Sequence, residues 1–121
     1  MKNFLVAILL VVPLVARAGF DEAVQAYESG DYTKAMAEFR PLAEQGDPKA
    51  QYAIGSFYHY GYGVKMDQAE AVKWFRMAAD HSDALSQYYL GMIYQKGDGV
   101  ESDFVAAHVW FSLSAANTQS Y

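Results

Sequence analysis

Apolar side chains recur every three or four residues along two segments in the middle of the chain. In the first segment the recurring positions are Ala50, Ile54, Phe57 and Tyr58. In the second segment they are Ala71, Trp74, Phe75 and Ala78. Because this spacing places each set on one side of an α-helix, the pattern predicts two helices, A and B, that each bury one face.

Start and stop signals bound both predicted helices. Helix A follows Asp47, whose carboxylate can accept free backbone amides, and Pro48 takes the first helical position, where its missing amide costs nothing. Helix B follows Asp67, with Glu70 three residues later as in a capping box. Helix A ends before Gly61, since glycine adopts the left-handed backbone conformation at a helix end without strain.

The loop between these two helices occurs twice in the chain. Residues 58–67 read YHYGYGVKMD, and residues 94–103 read YQKGDGVESD. A shift of 36 residues pairs 51–79 with 87–115, and twelve of these 29 positions are identical, against roughly two expected from ordinary composition. The chain therefore contains a true internal repeat.

A third and more diverged copy lies upstream. Its loop is five residues shorter, and Tyr27 and Gly30 take the roles of Tyr58 and Gly61. The positions that it keeps in its second helix are Asp31, Ala35, Phe39 and Ala43. We therefore predict three units, at about 21–46, 47–82 and 83–117.

These motifs resemble the Sel-1-like repeat, a relative of the tetratricopeptide repeat. The matching positions of the middle unit are Tyr58, Gly61, Gly63, Val64, Asp67, Ala71, Trp74, Ala78 and Ala79, and the last unit repeats the pattern from Tyr94 to Ala115. The resemblance implies an all-α fold, an α-solenoid of about three antiparallel helix pairs. It also implies that the A helices line a concave face that holds a protein or peptide partner.

The first 18 residues carry an export pattern. Lys2 precedes an apolar run from Phe4 to Ala16, and the sequence Ala16-Arg17-Ala18 is typical of a signal-peptide cleavage site. The alternative is a membrane anchor, but the run is shorter than the roughly 20 residues that span a bilayer. We therefore predict a signal peptide at 1–18, a mature repeat domain at 19–121, and a periplasmic or secreted protein of a bacterium.

Charge excludes some partners. The full chain has a net charge of −5, and cleavage would remove Lys2 and Arg17, so seven basic residues would remain against 14 acidic ones. Binding to nucleic acid or to anionic membrane surfaces needs clustered Lys and Arg, so we expect neither, and membrane contact only during export. The chain has no cysteine, so packing alone must stabilise it.

The sequence offers little catalytic chemistry. It contains no Cys nucleophile, no His-Glu-x-x-His pair and no Gly-x-Ser-x-Gly elbow. His59, His81 and His108 are spaced too widely for helical periodicity to bring them to one point, so we predict no metal site and no cofactor. Some cysteine-rich secreted relatives of the repeat family have been linked to penicillin binding or hydrolysis. A cell-wall or β-lactam-related enzyme is therefore the alternative to a non-enzymatic adaptor.

Candidate partner-binding residues are A-helix positions that lie off the core stripe, together with kept residues nearby. The chain has ten tyrosines, which supply rigid amphipathic contact area. Helical phase leaves open whether Tyr52 and Tyr88 belong to this face or to the core. The candidates are Gln51, Tyr52, Ser56, His59, Tyr60, Gln87, Tyr88, Met92, Gln95 and Lys96.

The last predicted helix lacks the polar outer face of a solenoid cap. No charged residue follows Asp103, and Val105, Val109 and Leu113 form a second apolar stripe. This stripe is a candidate docking edge for a partner or for a second copy of the chain. A further helix beyond the last one, or edge packing with no partner, are the alternatives.

One joint between units departs from the repeat. Gly46 ends the first helix B, but the residue 36 positions later is Ser82. A left-handed turn at serine costs roughly 1 kcal/mol more than at glycine. The second joint is therefore expected to be either strained or differently shaped.

Overall fold

The computed structural model describes residues 19–118, and over that range it is built from six helices with no strand. Helix α1 covers 19–28 in the described part of the chain, followed by α2 (Tyr32–Glu44), α3 (Pro48–Tyr60), α4 (Gln68–Asp80), α5 (Ala84–Lys96) and α6 (Phe104–Thr118). The prediction of an all-α fold is confirmed. The predicted signal peptide, residues 1–18, lies outside the described residues.

An aspartate precedes each helix from α2 onward, and its carboxylate accepts a backbone amide of the first turn. The donors are the amides of Lys34, Lys49, Glu70, Ser86 and Ala106, at 2.9 to 3.1 Å. The caps are Asp31, Asp47, Asp67, Asp83 and Asp103. Each bond satisfies an amide that lacks an intrahelical partner, so the chain sets five helix starts with the same residue type.

The predicted capping box at the start of α4 is only half formed. Asp67 caps the amide of Glu70, but the amide of Asp67 donates to the carbonyl of Tyr58 at 2.9 Å. The Glu70 carboxylate instead pairs with Lys73 at 3.2 Å. The return bond of the box is absent because the preceding helix already satisfies that amide.

The helices form two layers. The A helices α1, α3 and α5 touch through aromatic rings, with 5.9 Å between the centroids of Tyr27 and Phe57 and 5.9 Å between those of Tyr52 and Tyr89. The B helices α2, α4 and α6 touch through arginine side chains that lie over tryptophan rings of the next unit. This arrangement is the α-solenoid of three antiparallel pairs that the repeat predicts.

One arginine contact recurs between the units. The Arg40 guanidinium donates to the Tyr58 hydroxyl at 2.9 Å and lies 6.0 Å from the centre of the Trp74 ring. The residues 36 positions later repeat this contact, with Arg76 donating to Tyr94 at 3.0 Å and lying 5.7 Å from Trp110. Trp74 and Trp110 therefore have equivalent surroundings, and a cation over an aromatic face joins each unit to the next.

The repeated loop rests on the preceding unit. Gly63 has a φ of 70°, and a Cβ atom there would lie 2.7 Å from the carbonyl carbon of Tyr32, at the start of α2. Gly99 has a φ of 78°, and its Cβ would lie 2.7 Å from the Cβ of Gln68, at the start of α4. The loop sequence recurs because each copy of the turn lies close to the start of a B helix in the preceding unit.

Tyr27 does not take the role of Tyr58, contrary to the sequence alignment. The hydroxyl of Tyr58 accepts from Arg40, which belongs to a B helix. The ring of Tyr27 stacks on Phe57 in the A-helix layer. The shorter first loop explains the difference, because the amide of Asp31 donates to the carbonyl of Ala26, whereas the equivalent Asp67 donates to Tyr58.

Ser82 adopts the left-handed backbone conformation, which is strained for serine. Its φ is 68°, and among the described residues no other non-glycine has a positive φ. The amide of Asp83 donates to the carbonyl of Ala78, just as the amide of Asp47 donates to Leu42 after Gly46. The two joints therefore have the same hydrogen bonding, and the second one carries the strain.

Replacing Ser82 with glycine should stabilise the protein. Ser82→Gly is expected to raise the free energy of unfolding by roughly 0.5–1 kcal/mol, because the relief of left-handed strain exceeds the added entropy of the unfolded chain. Urea denaturation followed by circular dichroism measures the change. The reverse substitution at the equivalent joint, Gly46→Ser, should lower the stability by a similar amount. Equal stability of all three proteins would contradict the strain at Ser82.

Candidate functional site

A groove of about 470 Å³ opens on the A-helix layer. Five tyrosines from three helices and one loop line it: Tyr27 of α1, Tyr52 and Tyr60 of α3, Tyr62 of the following loop and Tyr89 of α5. We call this site the tyrosine groove. It spans all three units, since α1, α3 and α5 each belong to a different unit.

Small and buried residues form the rest of the lining. Phe39 and Phe57 are core residues that reach the groove, and Ala53 and Ser56 lie between the tyrosines. Ala53 occupies the position that Tyr89 holds one unit later, 36 residues along the chain. A small residue in one unit and a large ring in the next thus leave an open space with an aromatic wall.

The aromatic rings hold one another in place. Tyr89 stacks on the buried Phe75, with ring centroids 5.1 Å apart and an angle of 17° between the planes. Tyr62 stacks between Tyr32 at 4.6 Å and Tyr60 at 5.3 Å. Tyrosine has few rotatable bonds, Tyr62 is stacked on both faces and Tyr89 on one, so these rings are held in place before any ligand binds.

A pair of hydroxyl groups joins α3 to α5 at the edge of the groove. The phenol oxygens of Tyr60 and Tyr89 lie 2.7 Å apart. Burial raises the pKa of the Tyr89 phenol, and the hydrogen bond with Tyr60 raises it further. Burial also raises the pKa of the Tyr27 phenol, and the electrostatic interaction with the Tyr32 phenol raises this pKa further. The phenols of Tyr27 and Tyr89 therefore stay protonated and neutral at any physiological pH.

A second cavity of about 360 Å³ lies between the last two units. Four of the predicted partner-binding residues meet there, namely His59, Met92, Gln95 and Lys96, together with Ile93 and Asp98. The His59 Nδ1 lies 2.7 Å from Gln68 Oε1, and the Gln68 amide donates to Asp98 at 2.7 Å. This polar chain links α3, α4 and the loop before α6.

The other predicted residues are distributed unequally. Tyr52, Ser56 and Tyr60 line the tyrosine groove. Tyr88 is 48% exposed but packs beside Phe111 outside both cavities. Gln51 and Gln87 are buried, and their amides donate to the carbonyls of Ala43 and Ala79, so these side chains join units rather than face a partner.

Three tyrosines of the groove, Tyr27, Tyr62 and Tyr89, are not among the partner-binding residues predicted from the sequence, and neither are Phe39, Ala53 and Phe57. Tyr89 differs between units, since its counterpart is Ala53, and this is the property by which the other candidates were selected. The difference between Ala53 and Tyr89 is therefore the signal that could have identified it. The repeat predicts that Tyr27 takes the role of Tyr58, and no predicted role falls on Tyr62.

The apolar stripe of α6 is exposed as predicted. Val105, Val109 and Leu113 are 76%, 49% and 42% exposed. Their counterparts in α4, Ala69, Lys73 and Met77, are also exposed although another unit follows α4. A further unit stacked by the same rule would thus leave this stripe uncovered.

A further repeat unit stacked on α6 would cover a side of the helix that does not include the apolar stripe. Val72 and Ala79 of α4 are buried in the cluster that contains Leu90 of α5. Their counterparts His108 and Ala115 are exposed in α6. The stacking side and the apolar stripe are therefore separate surfaces of the same helix.

The described residues hold no obvious metal site or membrane span. No three His, Asp or Glu side chains within 19–118 gather into a group that could hold a metal ion. Over the same residues, no helix combines the length and the apolar character needed to cross a bilayer.

Both full repeat units match a known repeat. The Sel1 repeat matches at residues 48–83 and 84–118, which together make up more than half of the chain. The chain belongs to the Sel1 repeat family. Sel1 repeat proteins are helical repeats that typically mediate protein–protein interaction. A comparison of this Sel1 repeat chain with curated proteins finds no match.

Solved structures of two Sel1-type proteins are similar to this chain. One is a protective antigen of uropathogenic Escherichia coli strains with an SLR fold, 38% identical over 84% of this chain, with a TM-score of 0.78. The other is a Sel1 repeat protein from Oxalobacter formigenes, 36% identical over 69% of this chain, with a TM-score of 0.68. The chain spans 22% of the first protein and 64% of the second.

Proposed function

We propose that this Sel1 repeat chain is an exported adaptor that binds a protein or peptide partner through the tyrosine groove, in the periplasm or outside the bacterium. A regulator of the cell envelope and a secreted factor both fit this description. The observation that carries the proposal is the groove itself. It is a concave aromatic site between three units, of the size and lining that recognition sites have.

Export is supported by the order of features in residues 1–18. A basic residue, an apolar run and a small-residue site follow one another as in signal peptides. The absence of cysteine from the whole sequence suits either side of the membrane, because packing alone stabilises the domain. N-terminal sequencing of the purified chain would test this part, and Gly19 is the expected first residue.

Loss of the Tyr60 ring should weaken partner capture. Tyr60 is 48% exposed, so Tyr60→Ala removes groove surface at little cost in stability. We expect capture of a specific partner from an envelope extract to fall by about tenfold or more, as for a central aromatic contact. Quantitative mass spectrometry of affinity-purified complexes measures it.

The matched control is Tyr88→Ala. Tyr88 is equally exposed, at 48%, but does not line the groove. Capture should be unchanged in this variant. If both variants capture the partner as the native chain does, the groove is not the binding site. If the purified chain captures nothing and instead hydrolyses a β-lactam or cell-wall substrate, the enzyme alternative replaces the adaptor.

A further inference from the structure

The lining of the tyrosine groove contains no charged side chain. Its nine residues are tyrosine, phenylalanine, alanine and serine. A partner's ammonium or carboxylate group would lose water on entering and would gain no opposite charge in return. The groove therefore favours an uncharged occupant, although the chain as a whole is acidic.

The groove offers hydrogen-bond donors beside its aromatic rings. Tyr89 has hydrogen-bond partners in both Tyr60 and Tyr52, so two of the three hydroxyl protons are used within this cluster and one is available to an acceptor. The hydroxyls of Tyr27 and Tyr62 make no hydrogen bond to another described residue, so each can also donate. The raised pKa of Tyr89 keeps its proton in place. A suitable ligand thus has many acceptors.

The space continues beyond the groove. A further cavity of about 420 Å³ shares Phe39, Tyr52 and Ala53 with it and reaches Phe20 and Leu85. Its lining also contains one basic and one acidic side chain, Lys49 and Asp83, so the two charges balance there. The two cavities thus lie side by side along the A-helix layer. An extended ligand would contact both, whereas a single inserted side chain would fill only one.

We propose that the occupant of the tyrosine groove is an uncharged, proline-rich segment of a partner protein in the polyproline II conformation. Proline rings are apolar and pack against aromatic faces, and proline has no backbone amide that would need an acceptor. The carbonyl groups of a polyproline II helix make no internal hydrogen bonds, so they can accept from tyrosine hydroxyls. This inference rests on the proposed function and names the class of its partner.

The other kinds of peptide ligand fit the same features less well. A helical ligand uses its backbone carbonyl groups internally, so these groups could not accept from the tyrosine hydroxyls. A ligand anchored by Lys or Arg could lie against the ring faces, but the tyrosine groove supplies no carboxylate for it. Asp83 of the neighbouring cavity already accepts two hydrogen bonds from Ser86 and lies in the same lining as Lys49. A polyproline II segment is also ordered before it binds, which lowers the entropy lost on binding.

Three blocked decapeptides distinguish these ligands. They are decaproline, an alternating Gly-Ser peptide and an alternating Gly-Lys peptide. Each peptide is titrated by calorimetry into the full-length protein as purified from the cell. We expect decaproline to bind about tenfold or more tightly than either of the others. Tyr60→Ala should weaken decaproline binding by about tenfold, while Tyr88→Ala should change it by less than about twofold.

Each contrary outcome has a separate meaning. The proline inference is overturned if decaproline binds no better than the Gly-Ser peptide, or if the Gly-Lys peptide binds best. It is also overturned if Tyr60→Ala leaves decaproline binding unchanged. If partner capture depends on Tyr60 but decaproline does not displace the partner, the adaptor proposal stands and only the ligand class is wrong. If decaproline binds in the groove while capture is independent of Tyr60, the adaptor site is wrong instead.

Discussion

Gly63→Ala is expected to lower the free energy of unfolding by roughly 2–4 kcal/mol. The alanine backbone would have to adopt a φ of 70°. Its Cβ would also lie 2.7 Å from the carbonyl carbon and 2.8 Å from the carbonyl oxygen of Tyr32. Left-handed strain contributes roughly 1–2 kcal/mol and overpacking against backbone roughly 1–3 kcal/mol, partly offset by the stiffer unfolded chain. Urea denaturation measures the sum.

Gly30→Ala separates the two causes. Gly30 also has a positive φ, of 82°, but no atom lies within 4 Å of the Cβ position. This variant should therefore lose only about 1 kcal/mol, from the backbone strain alone. If the two variants lose the same amount of stability, the loop at Gly63 can move away from α2, and the close approach does not hold the units together.

Much of the fold followed from features that act within a few residues. The caps Asp47 and Asp67 were predicted because a carboxylate reaches an amide two or three residues later, and both bonds are present. The apolar stripe of α3 was predicted from its period, and Ala50, Ile54 and Phe57 are indeed buried. Such interactions depend on local geometry, which the sequence displays directly.

Contacts between units were predicted less well. Gln51 and Gln87 lie off the apolar stripe, yet they are buried because each amide donates to a carbonyl at the end of the preceding B helix. Similarly, Tyr89 lines the groove together with Ala53, the small residue at the equivalent position of the neighbouring unit. Both facts depend on which residue of one unit faces which residue of the next, and helical period alone does not contain that information.

A comparison of the repeat units does predict some of the contacts between them. Arg40 and Arg76 are 36 residues apart, as are the tyrosines and tryptophans that they contact. The next position in this series is Ser112, so the arginine contact stops at α6. A three-residue set that recurs at the repeat period therefore marks the contact between units, whereas a difference at that period, such as Ala53 and Tyr89, marks the groove.

Phe75→Ala should be the most destabilising of the substitutions considered for the groove and the core. Phe75 is completely buried, and loss of such a ring costs roughly 3–5 kcal/mol through lost burial and the cavity left behind. The same ring supports the stacked Tyr89 at 5.1 Å. We therefore expect both a lower midpoint of urea denaturation and weaker binding of the partner by the tyrosine groove. Phe104→Ala is the matched control, because Phe104 is 72% exposed and its loss should change stability by less than about 0.5 kcal/mol.

A milder variant separates folding from binding at this position. Phe75→Leu keeps an apolar side chain in the core, so the domain should remain folded with a loss of about 1–2 kcal/mol. It nevertheless removes the flat surface on which Tyr89 stacks. Under conditions where this variant is fully folded, the groove should bind its partner more weakly than in Phe104→Ala. Unchanged binding would mean that the Tyr60 hydroxyl positions Tyr89 without Phe75, and that the core of the second unit does not shape the recognition surface.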